Sequence, residues 1–304
     1  MERNRMDNFE YTINGLTDFL KCIFNINNTL RKDGEKYEVL LYRGHSNKEF
    51  KIEPAIARGR HSTTDISIFN EERNLIELAK YKLPSTFNKN MAPINLLALL
   101  QHYGIPTRLL DVTTNPLVSL FFACLDDNED GEVIVFKNEQ SDVASYPIVN
   151  AIAESYKFAK GGNYPIALFY KNVIHQPYFI EQKPMLDYLE ESFESGSNWI
   201  VECCKKRFFV QASEEILRQK IQQGQFILFN NDIVTENEKN YFKSLISPIE
   251  KNPKNIEKRI IIPKNQKKEI LLQLKILGIS EATLFSDNID KVCEGIYTDR
   301  KVRI

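Results

Sequence analysis

The sequence predicts an α+β fold in which helices surround a mixed, mostly antiparallel sheet. Segments with strand and helix patterns alternate irregularly along the 304 residues. The regular βαβ period of a doubly wound parallel sheet is therefore missing. Hydrophobic residues make up 42% of the chain, which is enough for a substantial core.

The amino-terminal part contains two amphipathic helices and a strand between them. Apolar residues recur at helical spacing in both helices, and aromatic and β-branched residues mark the strand. The predicted elements are a helix at 16–31, a strand at 37–42 and a helix at 71–83. The strand ends beside Arg43 and Gly44, and we expect the neighbouring His45 to face solvent.

A polar loop between two apolar helices is the most distinctive segment of the chain. The first helix covers 93–103 and ends before Gly104, which suits a left-handed cap. Pro106 prevents continuation of this helix. The second helix starts at Asn115, a good N-cap residue, and has Pro116 at its first position.

The loop between these helices concentrates polar chemistry. We expect Thr107, Arg108 and Asp111 to lie on a connecting segment, with Arg108 and Asp111 paired. Such a pair is either structural, satisfying the charges and the backbone of a buried loop, or part of a functional site. The functional alternative explains better why further polar side chains crowd the same segment, namely Gln101, His102, Thr113 and Thr114.

Shorter strands and helices complete the predicted sheet. A turn at Asp130-Gly131 introduces the first of them. The predicted strands are at 132–136, 166–170, 207–210, 225–229 and 259–262, and the predicted helices at 213–223, 265–277 and 287–297. Gly224 and Gly278 are expected to close two of these helices.

Composition limits the classes of function. Lys and Arg number 40 and Asp and Glu 41, so no overall basic excess favours nonspecific nucleic-acid binding, although a local basic patch is compatible with this balance. The five cysteines show no CxxC spacing, which indicates free thiols in a reducing cytosol and no metal site. The polar amino terminus and the lack of an apolar run of about 18 residues predict a cytoplasmic protein with no membrane partner.

Four segments resemble the FRG domain family, which is named for an aromatic-Arg-Gly triplet. They are LYRG at 41–44, ALLQHYGIPTRLLDVTTNPLVSLFFA at 98–123, RQKIQQGQFIL at 218–228 and ILGISEATLF at 276–285. The second segment is long and specific, although Val112 stands where the family commonly has an aromatic residue. We predict a helical segment at 1–36 and an FRG-like domain at 37–298 that carries a variable insertion at about 138–205.

The order of these segments is distantly similar to ADP-ribosyltransferases of the Arg-Ser-Glu class. Those enzymes carry an Arg on an early strand, a Ser/Thr-rich strand that runs into an apolar helix, and a late strand with a catalytic Glu. Tyr42-Arg43-Gly44, Thr113-Thr114 and the segment 222–229 follow in this order here. The resemblance implies an ADP-ribosyltransferase-like fold and NAD as the substrate.

The chemistry of such an enzyme indicates what each segment would do. Arg is suited to hold a pyrophosphate, and a carboxylate stabilises an oxocarbenium-like ribose. The segment 218–228 offers glutamines but no acid, so either Asp111 or another acid has taken this role, or the pocket binds a nucleotide without cleaving it. We predict Arg43, Asp111 and Gln223 as catalytic residues that line one pocket. The predicted NAD contacts are Tyr42, Arg43, Gly44, His102, Thr107, Arg108, Thr113 and Thr114.

The expected activity is transfer of ADP-ribose from NAD to an unknown macromolecular acceptor, or hydrolysis of NAD, in a toxin or phage-defence setting. Two alternatives belong to other classes. The first is a nucleotide-binding or nucleic-acid-binding module without catalysis. The second is an interaction protein whose central loop is purely structural.

Overall fold

An eight-stranded sheet forms the centre of the protein in the computed structural model. The structure describes residues 9–30, 40–59, 67–87, 91–136, 141–143, 146–181, 193–212 and 217–285. The strands are β1 (Glu10–Thr12), β2 (Leu41–His45), β3 (Leu109–Thr113), β4 (Gly131–Phe136), β5 (Ser141–Val143), β6 (Tyr164–Pro165), β7 (Phe208–Gln211), β8 (Gly224–Leu228), β9 (Ile233–Glu236), β10 (Lys239–Phe242) and β11 (Lys258–Ile262).

The order of strands in the main sheet is β1-β11-β4-β2-β3-β8-β7-β5. Its outermost pairs, β1–β11 and β5–β7, are parallel, and the others are antiparallel. A smaller antiparallel sheet contains β6, β10 and β9. The predicted α+β class with a mostly antiparallel sheet is confirmed.

Helices cover most of the remaining described residues. They are α1 (Leu16–Leu30), α2 (Ile68–Lys82), α3 (Pro93–His102), α4 (Pro116–Cys124), α5 (Pro147–Ala153), α6 (Ile166–Val173), α7 (Pro177–Ile180), α8 (Phe193–Lys205), α9 (Leu217–Ile221), α10 (Lys264–Ile276) and α11 (Glu281–Leu284). Within the described ranges, none of these helices has the length and apolar character needed to cross a bilayer.

Three groups of buried side chains cover the two faces of the sheet. In β4, Val133 and Val135 pack with α1, α4 and α10, whereas Ile134 and Phe136 face the opposite side, as the alternation of a strand requires. At the other end of the sheet, Leu109 of β3 joins a large cluster formed with α2, α3 and α5 to α8. The sheet is therefore buried on both faces.

Helix α4 lies unusually close to the sheet because two glycines face it. A Cβ atom on Gly44 would lie 1.9 Å from the carbonyl oxygen of Ser119. One on Gly131 would lie 2.3 Å from the carbonyl oxygen of Ala123. Real Cβ atoms do not approach backbone oxygens this closely, so both strands need glycine at these positions.

The helices that frame the polar loop agree with the sequence predictions. Helix α3 ends at His102, and Gly104 adopts the left-handed conformation at φ 82°. Helix α4 begins at Pro116, and the Asn115 side chain accepts hydrogen bonds from the backbone amides of Leu117 and Val118. The helix predictions for 16–31, 71–83 and 265–277 are confirmed to within a few residues as α1, α2 and α10.

Several other predictions are wrong. Residues 166–170 belong to helix α6, in which Ile166, Phe169, Tyr170 and Val173 are buried at helical spacing. Asp111 lies inside strand β3 rather than on a connecting segment. Arg43 and Gly44 lie within β2, which continues to His45.

The helix at 213–223 is shorter than predicted in its described part. Helix α9 covers Leu217–Ile221, and Gly224 begins β8 instead of capping the helix. The left-handed residue at this turn is Gln223, at φ 48°. The helix predicted at 287–297 lies outside the described residues.

Candidate functional site

A cavity opens where strands β2 and β3 separate. The ladder between these two strands consists of the pair Tyr42–Thr113, whereas β2–β4 and β3–β8 each have five paired positions. The opening, hereafter the central cavity, has a volume of about 290 Å³. Side chains of β2, β3, β8, α3 and α4 line it, together with Phe285.

Arg43 spans the gap between the separated strands. Its Nη1 donates a hydrogen bond to the backbone carbonyl of Asp111 at 2.5 Å. The guanidinium therefore satisfies a carbonyl of β3 that a backbone amide would bind in a continuous ladder. The Asp111 carboxylate lies 3.8 Å from Nη1, and the exposed fractions of the Arg43 and Asp111 side chains are 17% and 64%. Burial lowers the pKa of Arg43, and the charge of Asp111 partly opposes this change.

Asp111 is oriented by a second set of hydrogen bonds. Gln101 Nε2 donates to Asp111 Oδ2 at 2.8 Å. The orientation of the Gln101 amide is fixed by Thr107, whose hydroxyl donates to Gln101 Oε1 at 2.6 Å. The Thr107 hydroxyl in turn accepts a bond from the backbone amide of Leu109 at 3.2 Å. Thr107 thus acts on the carboxylate through Gln101.

Arg43 also contacts a buried cluster behind the cavity. Its Nε lies 3.2 Å from His45 Nε2, and His45 Nδ1 lies 3.0 Å from Glu132 Oε1. Arg259 and Lys251 bind the same Glu132 carboxylate. His45 is only 5% exposed, so the expectation that it faces solvent is wrong.

The charges of this cluster determine its protonation. Burial lowers the pKa of His45 to about 4, although its hydrogen bond to Glu132 opposes the change. Burial alone would raise the pKa of Glu132, but the hydrogen bonds from His45 and Lys251 and the charge of Lys251 outweigh it and lower that pKa. At neutral pH the cluster therefore holds a neutral imidazole and an ionised carboxylate.

The remaining walls of the cavity are aromatic and neutral polar. The rings belong to Tyr42, Phe122, Phe226 and Phe285, and the amides to Gln101, Gln219, Gln222 and Gln225. Flat apolar rings suit the face of a nucleotide base, and amides suit its polar edge. Within the described ranges, no group of three or more His, Cys, Asp and Glu side chains is placed to hold a metal ion.

The structure brings some of the predicted site residues together and separates others. The predicted residues that line the central cavity are Tyr42, Arg43, Gly44, His102, Asp111 and Thr113. Thr114 and Gln223 instead line a neighbouring cavity of about 210 Å³ on the other side of Gln219, Gly224 and Gln225. Arg43 and Asp111 therefore share one cavity, and Gln223 does not reach it.

The predicted pairing of Arg108 with Asp111 is wrong. Arg108 is fully buried, and its Nη2 lies 2.6 Å from Glu72 Oε2 of helix α2. Its Nη1 donates to the backbone carbonyl of Phe229 at 3.2 Å. The partner of Arg108 is 36 residues away, in helix α2, and is not visible in the local spacing. Arg108 does not line the central cavity.

The two predicted threonines hold the turn before β8. The Thr113 hydroxyl donates to the carbonyl of Gln222 at 2.7 Å, and the backbone amide of Thr114 donates to the carbonyl of Gln223 at 3.1 Å. A left-handed conformation is uncommon for a residue with a side chain, and these contacts stabilise it at Gln223. The threonines therefore shape the glutamine wall of the cavity.

The sequence contained signals for residues that the prediction missed. His45 shares a strand face with Arg43 because the two are separated by two positions. Glu132 is an acid in the otherwise apolar run of β4, which indicates a buried charge with partners. Phe285 belongs to the segment 276–285 that resembles the FRG family, but nothing in its spacing assigns it to a cavity.

Comparison with known proteins gives one match. The family model of the FRG domain matches residues 38–132, which contain β2, α3, β3 and α4. No curated protein and no solved structure matches the chain significantly. Both Arg43 and Asp111 lie in the matched segment, and so do Glu72, Gln101 and Glu132. Residues 38–132 therefore contain an FRG domain.

Proposed function

We propose that the central cavity binds NAD and that the protein cleaves its nicotinamide–ribose bond, passing ADP-ribose to a macromolecule or to water. The observation that carries this proposal is the meeting of Arg43 and Asp111 in one cavity with aromatic walls. A fixed cation suits a pyrophosphate, and a carboxylate suits a developing positive charge. We place this activity in a toxin or phage-defence setting.

The size of the cavity determines how much of NAD it can hold. Cavities that enclose small molecules usually measure about 300–1,000 Å³, and this one measures about 290 Å³. One nucleoside half of NAD therefore fits inside, with the pyrophosphate at Arg43 and the other half at the mouth.

The proposed reaction breaks the bond between ribose C1′ and the nicotinamide nitrogen. The electron pair leaves with nicotinamide, and the Asp111 carboxylate stabilises the positive charge left on the ribose. A hydroxyl of the acceptor, or water, then forms the new bond to C1′ and loses its proton to solvent. Because the Asp111 carboxylate is 64% exposed and held by Gln101, it is accessible and oriented.

The test is release of nicotinamide from NAD, measured by chromatography, together with labelling of a cell lysate by labelled NAD. Wild type should release nicotinamide, and Arg43→Ala should reduce the rate about 100-fold or more because productive binding needs the fixed cation. Lys268→Ala is the matched control, since Lys268 is an exposed cation paired with Asp127 outside the cavity. Release that survives Arg43→Ala would contradict the proposal.

A second candidate function is nucleotide binding without cleavage. It is favoured by the glutamine wall, since the segment where the distant resemblance expects an acid contributes Gln222 and Gln225 to the cavity instead. An amide binds a ribose hydroxyl but supplies no negative charge. NAD bound by wild type and recovered intact would select this candidate, and cleavage gained by Gln225→Glu would show that only the carboxylate was lacking.

A further inference from the structure

A line of buried polar groups runs from the central cavity across β2 and β4 to Arg259 of β11. His45 of β2 and Glu132 of β4 are directly opposite each other in the strand ladder. Neither residue lines the cavity, and both are buried, His45 being 5% exposed and Glu132 0%. Buried polar groups are costly unless their hydrogen bonds are satisfied. The partners of these two groups therefore indicate what they do.

The hydrogen-bond pattern allows one arrangement of protons. The guanidinium Nε of Arg43 can only donate, so His45 Nε2 must accept at 3.2 Å. An imidazole that accepts at Nε2 carries its proton at Nδ1, which then donates to Glu132 at 3.0 Å. Only the neutral ring with this tautomer satisfies all three groups.

Glu132 is itself held from the other side. Arg259 Nε and Nη2 donate to Glu132 Oε2 at 3.0 and 2.9 Å, and Lys251 binds Oε1. These bonds fix the position of the Glu132 carboxylate. The carboxylate then orients the imidazole ring of His45, and the ring orients the guanidinium of Arg43. Buried ion clusters are often no more stabilising than apolar side chains of the same volume. A role in orientation accounts for this cluster better than a role in stability.

We propose that His45, held by Glu132, is a positioning residue that sets the guanidinium plane of Arg43 for a pyrophosphate. The Nε of Arg43 donates to His45, and its Nη1 donates to the carbonyl of Asp111. Its Nη2 group has no hydrogen-bond partner among the described residues. It offers two N–H donors of fixed direction. The identity of the ligand rests on the proposed NAD-binding function, but the orientation of Arg43 is a property of the protein without ligand.

The protonation state of His45 is consistent with this role. Burial lowers its pKa to about 4, and the nearby charges of Arg43 and Lys251 act in the same direction. The ring therefore stays neutral at physiological pH and keeps its acceptor at Nε2.

The first experiment examines the protein without ligand. The chain has four histidines, so their imidazole nitrogens can be assigned by NMR of ¹⁵N-labelled protein. At pH 7 His45 should carry its proton at Nδ1, and Arg43 should show a slowly exchanging Nε–H signal. That signal should be lost in His45→Phe and retained in His45→Gln, whose amide oxygen can still accept. A His45 proton at Nε2, or an Arg43 signal unchanged in His45→Phe, would overturn the proposal.

The second experiment measures NAD binding by calorimetry. His45→Phe should weaken NAD binding about tenfold or more, and His45→Gln should restore most of the affinity. Glu72→Gln is the matched control, because it alters a buried ion pair that lies outside the cavity. It should lower the melting temperature without changing the affinity for NAD.

The two experiments separate this proposal from the proposed function. If wild type binds no NAD, the proposed function fails, and the NMR result still decides whether His45 orients Arg43. If wild type binds NAD and His45→Phe binds it equally well, the positioning role is wrong although the NAD site stands. If His45→Phe does not fold, the position of the His45 proton in wild type and the Arg43 Nε–H signal of His45→Gln still test whether His45 orients Arg43.

Discussion

At the scale of single residues, the central cavity has one carboxylate among its described lining residues, Asp111. Its backbone carbonyl binds Arg43, and its side chain binds Gln101. One residue thus links the cation of the cavity to the amide network beside it. The proposed chemistry depends on the charge of this side chain rather than on its hydrogen bonds, and the two can be separated.

We expect Asp111→Asn to fold normally and to lose cleavage of NAD. The amide is isosteric and keeps an oxygen that accepts from Gln101, but it cannot stabilise a positive charge. The rate should fall about 100-fold to 1,000-fold, as when one electrostatic contact to a transition state is removed. Nicotinamide release measures the rate, and calorimetry should show NAD affinity within a few-fold of wild type. A variant that cleaves NAD at the wild-type rate would exclude Asp111 as the stabilising acid.

His45 predicts a pH dependence of stability. Its pKa is about 4 in the folded protein and about 6.5 in an unfolded chain. Between these two pKa values the unfolded chain binds a proton that the folded protein does not. The free energy of unfolding is therefore highest above about pH 6.5 and decreases as the pH falls toward 4. The difference corresponds to on the order of 3 kcal/mol. The lowered pKa of Glu132 acts in the same direction at the acidic end.

Urea unfolding at a series of pH values measures this effect. His45→Gln removes the titrating ring while keeping a hydrogen-bonding side chain, so its free energy of unfolding should vary less over the same window. Identical pH profiles of the two proteins would show that His45 titrates normally.

The residues of the site illustrate the limit of local spacing. Arg43 and Asp111 were selected from short motifs, and the structure places both in the central cavity. The partner of Arg108 is not predictable from such motifs, because tertiary packing brings Glu72 of helix α2 to it. Asp111 is the nearest acid in sequence, three residues from Arg108, but Arg108 lies just before β3 and Asp111 lies within it, and the two side chains bind different partners.

At the scale of elements, local signals predicted the helices around the loop. Helix α4 has a capping Asn115 and a following proline, which fix its start independently of the rest of the fold. The strand predicted at 166–170 is wrong because a short apolar run is compatible with both a strand and a buried helix. Its helix becomes clear only when Val173, one turn further, is seen to be buried with Ile166 and Phe169.

Gly44→Ala should destabilise the packing of α4 on the sheet. The added methyl would lie 1.9 Å from the backbone oxygen of Ser119, and no side-chain movement can relieve that overlap. Overpacking of this kind costs about 1–3 kcal/mol and sometimes more, and we expect the upper end of that range by chemical denaturation. Gly162→Ala is the control, because nothing lies within 4 Å of its added Cβ. Equal stability of the two variants would show that α4 can move away from β2.

At the scale of the whole molecule, one buried ion pair joins the helical layer to the sheet. Arg108 precedes β3, Glu72 belongs to α2, and both side chains are about 1% exposed. Arg108 also binds the carbonyl of Phe229 just beyond β8. Three parts of the chain therefore meet at one guanidinium, and its loss affects the fold rather than the cavity.

Glu72→Ala should unfold far more easily than wild type. Removing one partner of a buried pair leaves an uncompensated charge and costs about 3–5 kcal/mol. Thermal and urea denaturation measure the loss, and the remaining folded protein should bind NAD with unchanged affinity. A loss below about 1 kcal/mol would mean that water or another group replaces the carboxylate.

The parallel pairing of β1 with β11 has a consequence for synthesis on the ribosome. Glu10 and its ion-pair partner Arg259 are 249 residues apart. At about 5–20 residues per second, strand β1 emerges roughly 10–50 s before the strand it pairs with. The same late segment supplies Lys251 and Arg259 to Glu132. Until it is translated, the nascent chain carries an unneutralised acid on β4 and an unpaired first strand, so this edge of the sheet is where a chaperone would be needed longest.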